Sequence, residues 1–125
     1  WDQNDENREF GKRFMEKTGR MPNMIQTGTY SAVLSYLKAV KAAGTEGTKA
    51  VGAKLHELPV EDLFAKKGKV QANGRMVYDM YLFQVKKPDE MKGDWDYYTE
   101  VSAVPGSDAF LSVENSGCDV TAFAN

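Results

Sequence analysis

Apolar residues recur at steps of three and four from Tyr30 through Val33, Leu34 and Leu37 to Val40, which is the period of one helical face. Ser31, Ser35, Lys38 and Lys41 fall on the rest of the cylinder. The pattern predicts a helix over residues 22–44, the longest and best specified in the chain. Pro22 suits a first turn, where its missing N–H costs nothing. Lys38 and Lys41 sit near the C-terminal end, where cations are favoured. Gly44 is a candidate left-handed cap. The stripe is broad, so something sizeable must pack on it.

The same reading extends along the chain. A first helix is expected over residues 5–18, capped by Asn4 or Asp5, with Phe10 and Phe14 as an i, i+4 pair and Gly19 as its stop. A third helix runs from about residue 48 to Leu58, with Val51, Leu55 and Leu58 on one side and Pro59 closing it. Residues 60–67 suggest another helical turn with Leu63 and Phe64 packed inward. The period then changes. Residues 69–71 read as a short strand, and Asn73-Gly74 is a strong two-residue hairpin signal. Residues 76–85 read as one strand, with Val77, Tyr81, Phe83 and Val85 on one face and Met76, Tyr78, Met80 and Leu82 on the other. Both faces are largely apolar, which suggests a strand covered on both sides. Residues 95–104 form a further strand, Pro105-Gly106 a turn, and Ala109 to Leu111 a short helical turn. The last residues read as loosely held. A chain with so few strands has little with which to cover two apolar faces, so a partner layer is missing.

Composition narrows the function. The chain has 125 residues, of which 42% are hydrophobic and 27% charged, the profile of a packed domain or a piece of one. Its formal charge of −2 carries no basic cluster, which argues against nucleic acid as a partner. The dense aromatic residues between Tyr78 and Tyr98 are interleaved with Asp79, Asp94 and Asp96, so they suit sheet packing better than base stacking. No apolar run is long enough to span a bilayer, and no export signal is visible. The opening residues WDQNDENREF read like the middle of a longer protein.

Few residues suggest catalysis. His56 is the only histidine and reads as a surface helix residue. Neither metal-ligand spacing nor a phosphate loop nor a nucleophile elbow is present. Glu61-Asp62 and Asp89-Glu90 read as solvated pairs. Asp79 interrupts an apolar strand, and a structural ion pair with Arg75 or Lys69 is favoured over a ligand contact. Cys118 is either a free thiol or the partner of a cysteine outside this sequence. No enzyme activity, cofactor or metal is expected. The start of the long helix is different. Ile25, Gln26, Thr27, Thr29 and Tyr30 place polar and aromatic groups beside helix-terminal N–H donors, which favour anions such as a carboxylate. Capping and core packing account for the same residues.

Phe10, Phe14, Gly19, Pro22, the Tyr30-centred helix, Ala42-Ala43-Gly44 and the later NGRMVYDMYLFQVKKP together resemble one family. It is the periplasmic solute-binding proteins of ABC transporters, in their branched-chain amino-acid or amide branch. The resemblance implies an α/β chain that is the C-terminal fragment of a two-lobe type I periplasmic-binding fold. Helices would fill about residues 5–58 and antiparallel strands about residues 69–104. Residues 1–63 would serve one lobe, and residues 64–125 the crossover and strands of the other. The resemblance also implies a periplasmic solute receptor that delivers its ligand to permease subunits. That ligand would be an amino acid, an amide or a small or aromatic carboxylate. Gln26 and Tyr30 would line the cleft, with Ile25 as a wall. Two alternatives stay open: a self-associating interaction domain without ligand, and an enzyme built on the scattered carboxylates.

Overall fold

A computed structural model describes residues 2–120. Helix α1 (Asp5–Thr18) has the expected bounds. The Asn4 side chain accepts from the Asn7 N–H at 2.9 Å, and Gly19 closes the helix at φ 74°. Helix α2 (Met24–Ala43) begins later than its pattern suggests. Pro22 lies outside the helix, and Asn23 is the cap. The Asn23 side chain accepts from the N–H groups of Ile25 and Gln26, while Gln26 Oε1 accepts from the Asn23 N–H at 2.8 Å. This reciprocal capping box fixes the start of the helix. Gly44 ends it at φ 66°, as expected. Helix α3 (Thr48–Glu57) follows. Val51 is buried, and Leu55 and Leu58 are half-buried.

The packed face of α2 is not the one its apolar stripe indicates. Thr27, Ser31 and Ala39 are buried, whereas Tyr30, Val33 and Leu37 are exposed. Leu34 and Val40 are half-buried. The inward residues are small because the segment after α3 lies close and reaches the helix through hydrogen bonds. Ser31 Oγ donates to Asp62 Oδ2 at 2.6 Å, and Lys38 Nζ donates to the Glu61 carbonyl at 3.1 Å.

Residues 60–67 are not a helical turn. Val60 and Gly68 form an antiparallel bridge, and Asp62 Oδ1 accepts from the N–H groups of Phe64 and Ala65. An acidic side chain bonded to its own following backbone competes with a helix and makes a turn instead. Leu63 does point inward, and its carbonyl accepts from the Asn7 side chain of α1 at 2.6 Å. Glu61 is exposed, but Asp62 is not a solvated surface carboxylate: it ties this loop to α2. A side chain on Gly68 would lie 2.9 Å from Val60 Cβ and 3.0 Å from Met76 Cε, so the closure requires glycine there.

Strands β1 (Lys69–Val70) and β2 (Met76–Val77) pair antiparallel, with Lys69 opposite Val77 and Val70 opposite Met76. Gln71 N–H donates to the Arg75 carbonyl, which leaves Ala72, Asn73 and Gly74 as the connection. Gly74 takes φ 78°, so this is the three-residue hairpin with a left-handed glycine and not the two-residue form.

The single strand expected over residues 76–85 is two. The chain breaks at Tyr78-Asp79, and strand β3 (Met80–Val85) pairs instead with β4 (Tyr98–Val104). Asp79 Oδ1 accepts from the Gly106 N–H at 3.0 Å, so the carboxylate caps the short helix α4 (Gly106–Ala109). Arg75, proposed as its ion-pair partner, lies 5.8 Å over the Phe110 ring. Helix α4 starts three residues before the turn expected at Ala109. Gly106 is buried, and a Cβ there would meet Val77 Cγ1 at 2.8 Å and the Tyr78 carbonyl oxygen at 2.9 Å. Phe64, Tyr78 and Phe110 stack around this corner, with ring centroids 4.8 and 5.3 Å apart.

The β3–β4 ribbon stands clear of the rest. Every β4 residue is exposed, and every β3 residue after Met80. Neither face is covered by this chain, in line with the partner layer that the sequence marks as missing. The connection between the strands, residues 86–97, contains a short 3-10 turn, Pro88–Glu90. It is stapled by an ion pair between Lys86 and Asp96, both largely buried. Among the described residues the buried apolar core is small: Ala39, Val51, Val60, Leu63 and Ala65. The chain exposes 9009 Å², against roughly 6,700 Å² for a compact monomer of its mass.

Candidate functional site

The three residues singled out in the sequence sit at the start of α2, and the structure brings two of them together. Gln26 and Tyr30 are one turn apart and share a face. Val33 and Leu37 continue that face, opposite the Ser31 side that packs inward. Ile25 lies about 100° around the helix from Gln26, on a different face, and is exposed. Tyr30 is held by packing: its ring centroid is 5.0 Å from Phe10, which in turn lies 5.9 Å from Phe14. Helices α1 and α2 thus present an aromatic ledge, with Gln26 at its rim.

Polar chemistry at the helix start is already engaged. The N–H groups of Ile25 and Gln26 bond Asn23 Oδ1, and the N–H of Thr27 bonds the Asn23 carbonyl. The Thr27 and Thr29 hydroxyls donate back to the Asn23 and Ile25 carbonyls. The N–H groups of Asn23, Ile25, Gln26 and Thr27 are therefore already occupied, and a ligand here meets mainly side chains. Gln26 has its oxygen on the Asn23 N–H, which leaves its amide nitrogen as the donor it could offer a ligand.

A shallow hollow lies elsewhere. It is an open depression of about 550 Å³ between His56, Lys69, Gln71 and Val113. His56 is exposed, with Nδ1 3.4 Å from the Val70 carbonyl oxygen. None of Ile25, Gln26 and Tyr30 lines it. Among the described residues, no group of three His, Cys, Asp or Glu side chains is placed to hold a metal. No described helix is long and apolar enough to cross a membrane. Cys118 is an exposed free thiol. Asp62 is the polar residue that the sequence reading misjudged, as half of a solvated pair. Its one legible signal is the Asp-x-Phe-Ala spacing of a carboxylate that turns its own backbone.

Two solved structures share this fold. A periplasmic binding protein from Burkholderia mallei superposes with a TM-score of 0.92 at 39% identity. A branched chain amino acid ABC transporter periplasmic ligand-binding protein from Burkholderia xenovorans LB400 superposes at 0.91 and 42% identity. Each covers 96% of this chain, and this chain spans 32% of each of them. Among curated protein sequences, none matches the chain. The profile of the periplasmic binding protein family matches residues 1–92, and the chain belongs to that family. Its helices and antiparallel strands are a piece of the periplasmic binding protein fold.

Proposed function

We propose that this chain is part of an extracytoplasmic receptor about three times its length, which captures a small solute for the permease of an ABC transporter. The observation that carries the reading is the pairing of Gln26 and Tyr30 on one uncovered face of α2, in a chain that spans 32% of its solved relatives. One wall of a site is present, with its aromatic ring fixed by Phe10 and an amide at its edge. The opposite wall belongs to the remainder of the protein. Residues 1–63 then form the helical part of one lobe. Residues 64–125 form the crossover and the strands of the other. Lobe closure around the solute does the work, with the crossovers as hinges, and no bond is made or broken. The receptor would operate in the periplasm.

A solute with an acceptor group and an apolar body suits this wall. Amino acids, amides and small or aromatic carboxylates have that form, and Ile25 lies at its margin. Calorimetry on the whole protein tests the reading. Tyr30→Ala should weaken binding by roughly 1–3 kcal/mol for lost packing and one hydrogen bond. Gln26→Ala should cost about 1 kcal/mol of affinity, measured beside a denaturant midpoint because the capping box is lost too. His56→Ala should leave affinity unchanged. Unaltered affinity in Tyr30→Ala would make the helix end structural only.

A further inference from the structure

Asn73-Gly74 closes the β1–β2 hairpin, and the proposed solute site does not use it. No other asparagine of this chain precedes glycine: Asn4, Asn7, Asn23 and Asn115 precede Asp5, Arg8, Met24 and Ser116. The side-chain amide of an asparagine is an electrophile within reach of the next backbone nitrogen. Attack by that nitrogen closes a cyclic imide. A side chain on the following residue hinders the attack, and glycine has none.

The turn adds to this. Asn73 Oδ1 accepts from the Arg75 N–H at 3.1 Å. That donor polarises the side-chain carbonyl and faces the oxygen on which negative charge develops as the nitrogen adds. The same bond folds the side chain over the backbone that follows it, so the reacting groups are kept close. Asn73 is half-buried and Gly74 exposed, and a Cβ built on Gly74 would meet nothing within 4 Å, so its flank is open to water. One contact opposes the reaction: the Gly74 N–H donates to the Gln71 carbonyl at 2.8 Å. It lies at the tip of a hairpin whose strands have two residues each, and so short a pair opens at little cost.

We propose that Asn73 is a site of spontaneous covalent modification in the folded protein, by way of a succinimide. The Gly74 nitrogen gives its proton to solvent and bonds to Asn73 Cγ. The Cγ–Nδ2 bond breaks, and Nδ2 takes up a proton and leaves as ammonia. Water then opens the ring. Attack at Cγ breaks the new bond to Gly74 and leaves an aspartate at position 73. Attack at the Asn73 backbone carbonyl leaves isoaspartate, whose chain runs through the former side chain. Neither route changes an oxidation state. The aspartate adds a negative charge and keeps an acceptor for the Arg75 N–H. Isoaspartate lengthens the turn by a methylene and strains the pairing of Lys69 with Val77, one residue from the Val60–Gly68 bridge.

Incubation of the whole protein at neutral and at mildly alkaline pH, in water enriched in heavy oxygen, decides it by peptide mass spectrometry. Position 73 should gain isoaspartate and heavy oxygen at least about tenfold faster than position 115, about 1.4 kcal/mol off the barrier. The gain should quicken at the higher pH, because the attacking nitrogen must lose its proton. Conversion of Asn115 at an equal or greater rate overturns the proposal. So does an Asn73 that stays intact in the folded protein while it converts in urea, since the fold would then protect it. Aspartate without isoaspartate at position 73 rules out the succinimide. Asn73→Ser keeps an acceptor for the Arg75 N–H and should remove the isoaspartate from this segment. Solute binding enters none of these readouts, so a failed receptor reading leaves the test intact.

Discussion

Asp62 is a carboxylate that joins two parts of the fold. It holds the loop at residues 60–67 in its turn and receives the hydroxyl of the fully buried Ser31. Asp62→Ala removes three hydrogen bonds and leaves the Ser31 hydroxyl without its acceptor. A loss of about 2–4 kcal/mol is expected, read as a lower urea midpoint with unchanged slope. Ser31→Ala should cost less, since Asp62 keeps its two backbone donors. The caps were legible in the sequence because they depend on neighbours: Asn4, Gly19 and Gly44 act within a turn of themselves. The partnership of Ser31 with Asp62 was not, because residues thirty-one apart meet only once the fold brings them together. Gln26 and Tyr30 could be read as a pair on one helix face. Their capping partner Asn23, three residues from Gln26, was legible too but was passed over for Pro22, whereas the ring-packing partner Phe10 lies on another helix and could not be read.

At the scale of elements, periodicity found the helices and misjudged what they face. The stripe of α2 is real, but within this chain it points away from the packed side, where Thr27, Ser31 and Ala39 lie. Hydrophobic pattern reports that a face will be covered, not by which part of a protein. The break at Tyr78-Asp79 was hidden for a similar reason: an alternating run reads as one strand until Asp79 finds the Gly106 N–H. The β3–β4 connection has its own pH response. The Lys86 ammonium, then the Lys92 N–H, hold the Asp96 carboxyl below its ordinary value of 3.8. A lowered folded value means the staple contributes fully above the unfolded value and is lost as pH falls through the folded one. Acidification below about pH 4 should therefore speed exchange of the Lys92 amide and shift the Asp96 carboxyl resonance. Asp96→Asn should remove that dependence.

The whole molecule is open. Tyr30, Val33, Tyr36 and Leu37 on one side and Leu82, Phe83, Val85 and Val101 on the ribbon are all exposed. Apolar surface of that extent finds partners. Produced alone, the chain should self-associate, seen by light scattering after size exclusion and by binding of an apolar dye. A dye-silent monomer would mean that the surface is not sticky and would weaken the missing-layer reading. The division between helices and ribbon also has a kinetic side. The ribbon closes over a connection of residues 86–97, whereas the Asn7 clasp on Leu63 joins positions fifty-six apart. A hairpin forms in roughly 1–10 microseconds, and longer loops lose more entropy on closing. In a refolding pulse-labelling experiment, the amides of Leu82 and Gln84 should be protected in an early phase. Those of the 60–67 loop, which depend on the Asn7 and Ser31 clasps, should follow, so the docking of that loop onto the helices comes after the ribbon has closed.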